Sequence, residues 1–141
     1  MTPSWPPLIA AASEARQHAY APYSGFRVGA ALQVDGSIVT GVNVENCSYG
    51  LTVCAERNAI AAAVRAGAEP GSVQAVAIVA EAEGPTPPCG ACRQVLAEFV
   101  GPSARVILHN LRDGSSTEMA FAELLPHAFD RAFNLPGPDP V

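Results

Sequence analysis

The sequence is short of basic residues. Lys and Arg together number eight in 141 residues, against 13 Asp and Glu, and the formal net charge is −5. A protein that binds a polynucleotide neutralises many phosphates with such side chains. With so few available, no basic patch of any size can be built, and a nucleic-acid substrate is disfavoured.

Long apolar runs are missing as well. No segment approaches the ~18 consecutive apolar residues that a membrane-spanning helix needs, so we expect no membrane association. The short apolar run at residues 8–12 has no Lys or Arg before it and is interrupted by Ser13 and Glu14, which is unlike a secretory signal peptide. We therefore expect a cytoplasmic protein.

The remaining composition is that of a single globular domain. Hydrophobic residues make up 49% of the chain, and a chain of this length buries roughly 68–70% of its unfolded surface in one core. Its 12 Gly and 13 Pro stay below the roughly 25–30% that marks a disordered composition. We predict one domain over residues 1–134 and a proline-rich tail at residues 135–141.

Three of the four cysteines are spaced like metal ligands. Cys89 and Cys92 form a Cys-x-x-Cys unit, which in a chain without a secretion signal favours metal binding over a disulfide. Cys54 begins one predicted helix, and the other two flank the start of another, on one helical face. Helix N-termini favour thiolate over thiol. The sequence therefore predicts a zinc site with three thiolate ligands and a fourth position open to water.

Glu56 and Arg57 are expected beside that site. Zinc lowers the pKa of a bound water to about 7, and Glu56, two residues after Cys54, is placed to move that water's proton. Three thiolates on Zn²⁺ leave a net negative charge, which Arg57 is placed to offset by hydrogen bonding to a sulfur. The pattern predicts an enzyme that activates water.

Each of these interpretations has a plainer alternative. The cysteines could be inert buried thiols, or Cys47 could complete a closed structural site, although its position seven residues before Cys54 is outside the usual ligand spacing. Glu56 could merely complement the helix dipole, and Arg57 could be a surface residue. Phe26, which begins a predicted strand, would ordinarily be assigned to the core. The histidines have no ligand spacing and are interpreted as ordinary residues: His18, His109 and His127.

Hydrophobic periodicity and turn residues predict alternating helices and strands. The predicted helices cover residues 8–20, 54–66, 90–100 and 121–129, and the predicted strands cover residues 26–34, 37–43, 73–80, 105–110 and 117–120. The pair Asp35-Gly36 is a strong hairpin signal, and the unbroken apolar run at 73–80 is typical of a central strand buried on both faces. Strands separated by helices predict an α/β protein, a three-layer α/β/α sandwich.

Several motifs together resemble the small, homotetrameric, zinc-dependent cytidine deaminases. In chain order they are YAPYSGFRVGAAL (20–32), GVNVEN (41–46), SYG (48–50), CAER (54–57), PCGACRQ (88–94) and LLPHAF (124–129). Their number and order make the resemblance specific, and it covers residues 8–129.

The resemblance implies hydrolytic deamination of cytidine and 2′-deoxycytidine to the uridines, with release of ammonia, in pyrimidine salvage. It implies a mixed five-stranded sheet, one zinc ion per subunit and a homotetramer with shared active sites. In the implied mechanism a zinc-bound hydroxide attacks C4 of the nucleoside while Glu56 moves the protons. Two alternatives are a deaminase of a modified cytosine nucleoside such as blasticidin S, and a non-catalytic zinc-stabilised binding protein.

The same resemblance implies roles for individual residues. Cys54, Cys89 and Cys92 would hold zinc, and Glu56 would be the proton shuttle. The nucleoside would be held by Phe26 stacking on the base, by Asn43 and Glu45 at the ribose hydroxyls, and by the backbone of Ala55 and Pro88 at the polar edge of the base. A neighbouring subunit would contribute the loop from Cys47 to Tyr49, with Cys47 acting through its backbone, and Phe129.

Overall fold

A computed structural model describes residues 3–130, which form one five-stranded sheet with helices on both faces. The helices are α1 (Trp5–Arg16), α2 (Ala55–Arg65) and α3 (Gly90–Ala97). The strands are β1 (Gly29–Val34), β2 (Ser37–Val42), β3 (Val73–Ala80), β4 (Val100–Asn110) and β5 (Ser116–Ala120). The tail predicted at residues 135–141 lies outside the described residues, and its boundary stays a prediction.

The strand order β2-β1-β3-β4-β5 makes the sheet mixed. β3 and β4 are parallel, whereas the other neighbouring pairs are antiparallel. The β1–β2 hairpin turns at Asp35 and Gly36, both with positive φ, as the residue pair predicts. β3 occupies the centre, and its bounds match those predicted from its unbroken apolar run.

Two apolar cores separate three layers. On one face, α1 packs Leu8 and Ala12 against small side chains of the central strands, including Ala77. On the other face, the second core contains Ile60 of α2 and Leu96 of α3. The predicted three-layer α/β/α sandwich is confirmed. Because α2 and α3 share a face and contact each other, their N-termini can lie side by side. None of the helices within residues 3–130 has the length and apolar character to cross a membrane.

The predicted helix at residues 121–129 is wrong. Only a 3₁₀ turn forms there, at Phe121–Glu123. Pro126 disfavours helical backbone in the residue before it, and His127 has a φ of 54°, which a right-handed helix does not allow.

Several predicted bounds also differ from the structure. α1 begins at Trp5, with prolines in its first turn where they are tolerated. α3 ends at Ala97, and β4 begins at Val100.

Two further bounds, the start of β1 and the end of α1, move for identifiable reasons. The strand predicted from residue 26 begins at Gly29. The reason is that the side-chain amide of Asn43, and not a neighbouring strand, bonds the backbone of residues 26–28. Its Oδ1 accepts from Val28 N, and its Nδ2 donates to the Phe26 carbonyl. The helix predicted to reach residue 20 ends at Arg16, since Tyr20 instead exchanges backbone hydrogen bonds with Asn43 and Glu45.

α2 lies unusually close to β2 at Gly41. A Cβ atom added there would lie 2.3 Å from Ala59 N and 2.5 Å from Ala55 O. Both alanines are fully buried, so neither side of the contact can move away. The absence of a side chain at Gly41 therefore sets how closely the first turn of α2 approaches the sheet.

We predict that Gly41→Ala lowers the free energy of unfolding by about 1–3 kcal/mol or more, as overpacking does. Urea unfolding at one fixed protein concentration measures this. The matched control is Gly84→Ala, because Gly84 has open space around its Cβ position and no positive φ. Equal stability of the two variants would contradict the close-contact interpretation.

Candidate active site

Three cysteine sulfurs meet where α2 and α3 begin. Cys54 is the N-cap of α2 and Cys89 the N-cap of α3, and Cys92 lies in the first turn of α3. Their Sγ atoms all lie within 4.8 Å of one another, and those of Cys54 and Cys89 are 3.8 Å apart. The sequence-predicted ligands are thus brought together, at two positively polarised helix ends.

Cys54 and Cys92 influence each other's pKa. A hydrogen bond from the Cys92 thiol, supported by one from Arg57, lowers the pKa of Cys54 to about 5. The same bond to Cys54, together with burial, raises the pKa of Cys92. Like charges this close disfavour each other, so all three sulfurs can be thiolates only if a cation lies among them.

A tetrahedral zinc ion fits this donor set. With Zn–S bonds of about 2.3 Å, two sulfurs on one tetrahedral ion lie about 3.8 Å apart, which is the Cys54–Cys89 separation. Cys47 is exposed and does not belong to the cluster, so the described residues group three sulfur ligands there.

Glu56 lies in the first turn of α2 and is only 5% exposed. Burial raises its pKa to about 7, and the neighbouring Cys54 thiolate acts in the same direction. A first-turn carboxylate that only complemented the helix dipole would lie in solvent and would need no such shift. A carboxyl poised near neutral pH beside a metal-binding cluster is placed for proton transfer.

Arg57 is half-buried and contacts the cluster. Its Nη2 donates to Cys54 Sγ at 3.5 Å, and hydrogen bonds to Cys54 and Cys92 raise its pKa. Its Nε is buried and has no partner within the part of the chain that the structure describes. Three thiolates and Zn²⁺ carry a net charge of −1, so one guanidinium brings the cluster to neutrality.

Glu45 lies in a cleft that Tyr23, Ser24 and Thr52 also line. Its carboxylate accepts from the backbone N–H groups of Tyr23 at 2.9 Å and Ser24 at 3.1 Å, and from the Ser24 hydroxyl. These bonds, led by that of the hydroxyl, lower its pKa and keep it ionised. The cleft has a volume of about 220 Å³, and Tyr49 also lines it.

The other predicted contact residues fall into two groups. The first group is buried or held by hydrogen bonds. Asn43 is buried, and its amide is bonded to the Phe26–Val28 backbone. Ala55 is buried at the start of α2, and the carbonyl of Pro88 accepts from Arg93 Nε. The aromatic side chains are exposed: Phe26 by 39%, Tyr49 by 74% and Phe129 by 56%. Assigning Phe26 to the core is therefore wrong, because its carbonyl is held by Asn43 while its ring stays accessible.

Sequence reasoning missed the contacts of two residues next to the site. Arg93 and Gln94 follow Cys92 and donate to backbone carbonyls far along the chain, at Leu124 and Phe129. The available signal was their place in the PCGACRQ motif, but nothing local indicates a partner about 30 residues away.

Most of the chain resembles proteins of one family. The family description "Cytidine and deoxycytidylate deaminase zinc-binding region" matches residues 7–109. A cytidine deaminase of Halalkalibacterium halodurans is 52% identical over 123 residues, which cover 86% of this chain and 91% of that protein. One from Sporosarcina psychrophila is 52% identical over 125 residues, covering 88% and 90%. The crystal structure of cytidine deaminase from Burkholderia pseudomallei matches with a TM-score of 0.85 and 50% identity, over 90% of this chain and all of that one.

We predict that Arg57→Ala weakens zinc binding by roughly 10- to 100-fold, as loss of a hydrogen-bonding partner of a ligand does. Competition with a chromophoric chelator measures the dissociation constant. Arg65→Ala is the control, because Arg65 is exposed in the last turn of the same helix. An unchanged zinc dissociation constant in Arg57→Ala would show that Arg57 does not support the metal site and is an ordinary surface residue.

Proposed function

The chain belongs to the family of zinc-binding cytidine and deoxycytidylate deaminases, and we propose on this basis that it hydrolyses cytidine and 2′-deoxycytidine to the corresponding uridines and ammonia, in pyrimidine salvage. The observation that carries the proposal is the buried Glu56 beside the three-sulfur cluster. A site that only stabilised the fold would have no use for a carboxyl whose pKa lies near 7.

The chain's own residues supply the proton transfers. Cys54, Cys89 and Cys92 hold the zinc, which when bound supplies a water of lowered pKa as the nucleophile for C4. Glu56 takes a proton from the attacking water and delivers it to N3 of the pyrimidine. It then transfers the remaining proton of that water to the amino group on C4, which leaves as ammonia. A pKa near the working pH lets one carboxyl act as base and then as acid.

Ribose recognition rests on Glu45. An ionised carboxylate offers about four acceptor sites, of which three take the donors of Tyr23 and Ser24, leaving one for the 3′-OH. Asn43 uses one donor and one acceptor on the Phe26–Val28 backbone and keeps one of each for the sugar. These polar groups favour a plain nucleoside over a modified one such as blasticidin S.

The remaining contacts concern the base. Phe26 stacks on the ring from its exposed position. Ala55 is the first residue of α2, where backbone N–H groups have no partner within the helix, and it donates to the polar edge of the base. The Pro88 carbonyl accepts from that edge with the lone pair that Arg93 leaves available.

Assembly completes the site. The rings of Tyr49 and Phe129 are largely exposed, and water-excluding contacts of a nucleoside pocket require them to be covered. We therefore propose a homotetramer in which the loop from Cys47 to Tyr49, together with Phe129, reaches the site of a neighbouring subunit. We place the enzyme in the cytoplasm, where reducing conditions keep cysteines such as Cys89 out of disulfides and available to zinc.

Replacing Glu56 with Gln tests the chemistry. Glutamine retains the size of the side chain but cannot shuttle protons, so we expect zinc to stay bound and kcat to fall by at least ~10²–10⁴-fold. The fall in cytidine absorbance measures the rate, and Glu69→Gln, at an exposed glutamate, is the control. A Glu56→Gln enzyme within a few-fold of wild type would refute the assignment.

Mixing the inactive Glu56→Gln variant with the impaired Phe129→Ala variant tests the assembly. In a mixed tetramer, some sites take Glu56 from a Phe129→Ala subunit and Phe129 from a neighbouring Glu56→Gln subunit. Such sites have both residues intact, so partial recovery of activity is expected. As a control, Glu56→Gln mixed with the Glu56→Gln/Phe129→Ala double variant must stay inactive. An active monomer, or a Phe129→Ala enzyme with normal kcat and KM, would exclude shared sites.

A further inference from the structure

Arg93 joins two distant parts of the backbone. Its Nε donates to the Pro88 carbonyl at 2.7 Å, and its Nη1 donates to the Leu124 carbonyl at 2.8 Å. The first carbonyl immediately precedes the ligand Cys89, and the second lies at the end of the 3₁₀ turn. One planar guanidinium donates both bonds, a geometry that the single ammonium of lysine does not reproduce.

Gln94 continues this contact along the chain. Its Nε2 donates to the Phe129 carbonyl at 2.7 Å. Residues 125–129 contain neither helix nor strand, so no regular backbone pattern fixes the position of Phe129 relative to α3. Hydrogen bonds from α3 therefore supply positional restraint where secondary structure does not.

We propose that Arg93 and Gln94 are positioning residues through which α3 sets both the turn that presents Cys89 and the segment that presents Phe129. The inference rests on the proposed function, because it assigns Phe129 to a substrate site. α3 then serves as a common reference: its first turn carries Cys92, and its next two side chains fix the approach to Cys89 and the position of the aromatic ring.

The Arg93 half is tested through zinc affinity, which needs no turnover. Chelator competition is carried out on wild type, Arg93→Lys and the exposed-site control Arg65→Lys. We expect Arg93→Lys to raise the zinc dissociation constant roughly 10- to 100-fold and Arg65→Lys to leave it unchanged. An unchanged constant in Arg93→Lys overturns this half. If Arg93→Lys proves insoluble, Arg93→Gln tests the same contact, because its single amide nitrogen cannot replace both Nε and Nη1.

The Gln94 half is tested by a double-mutant cycle with Phe129→Ala, measuring kcat and KM for cytidine. A lost neutral hydrogen bond costs roughly a 2- to 10-fold change, so Gln94→Ala should raise KM by that factor in the wild-type background. In the Phe129→Ala background it should add nothing, since the ring that it positions is gone. Gln74→Ala, at an exposed site at the start of β3, is the control.

Two outcomes separate this inference from the proposed function. Additive effects of Gln94→Ala and Phe129→Ala would mean that Gln94 acts through general stability and would overturn its positioning role, while the deaminase assignment stands. If wild type fails to deaminate cytidine, the proposed function fails, and with it the Gln94 half. The zinc-affinity result still decides the role of Arg93 at the Cys89 turn.

Discussion

The structure around the site depends on bringing three sulfurs within 4.8 Å of one another. Thiolates at that distance repel each other unless positive charge is supplied nearby. The fold supplies it through the N-termini of α2 and α3 and through the guanidinium of Arg57, 3.5 Å from Cys54 Sγ. A divalent zinc ion supplies the rest. Other features of the site follow from this charge requirement.

The sheet makes that arrangement possible by fixing two helices on one face. β3 and β4 run parallel, with α3 between them in sequence, so α3 begins near the end of β3. Gly41 lets α2 approach β2 so closely that a single methyl group would collide with its backbone. The relative position of the two helix starts is therefore set by backbone packing, which is far more rigid than flexible side chains.

Local signals explain which parts could be predicted from the sequence. The three ligands, Glu56 and the bounds of β3 depend on spacing, helix starts and an unbroken apolar run, all readable within a few residues. The Asn43 amide that replaces strand pairing at Phe26 acts across 17 positions, and Arg93 and Gln94 act across 31 and 35. Hydrophobic periodicity carries no information about such long-range polar contacts, so those boundaries and roles were missed.

The site divides into a polar half and an apolar half. The polar groups are held within one chain, because Glu56 is buried and the carboxylate of Glu45 accepts from three donors. The apolar groups are less enclosed, since Phe26, Tyr49 and Phe129 are 39%, 74% and 56% exposed. Proton transfer needs groups fixed to within a few tenths of an ångström, which rigid elements of one fold provide. Exclusion of water needs only apolar area, and a second copy of the chain can supply it. In the proposed tetramer, this difference in precision would keep the chemistry within one subunit and leave the exclusion of water to a neighbouring subunit.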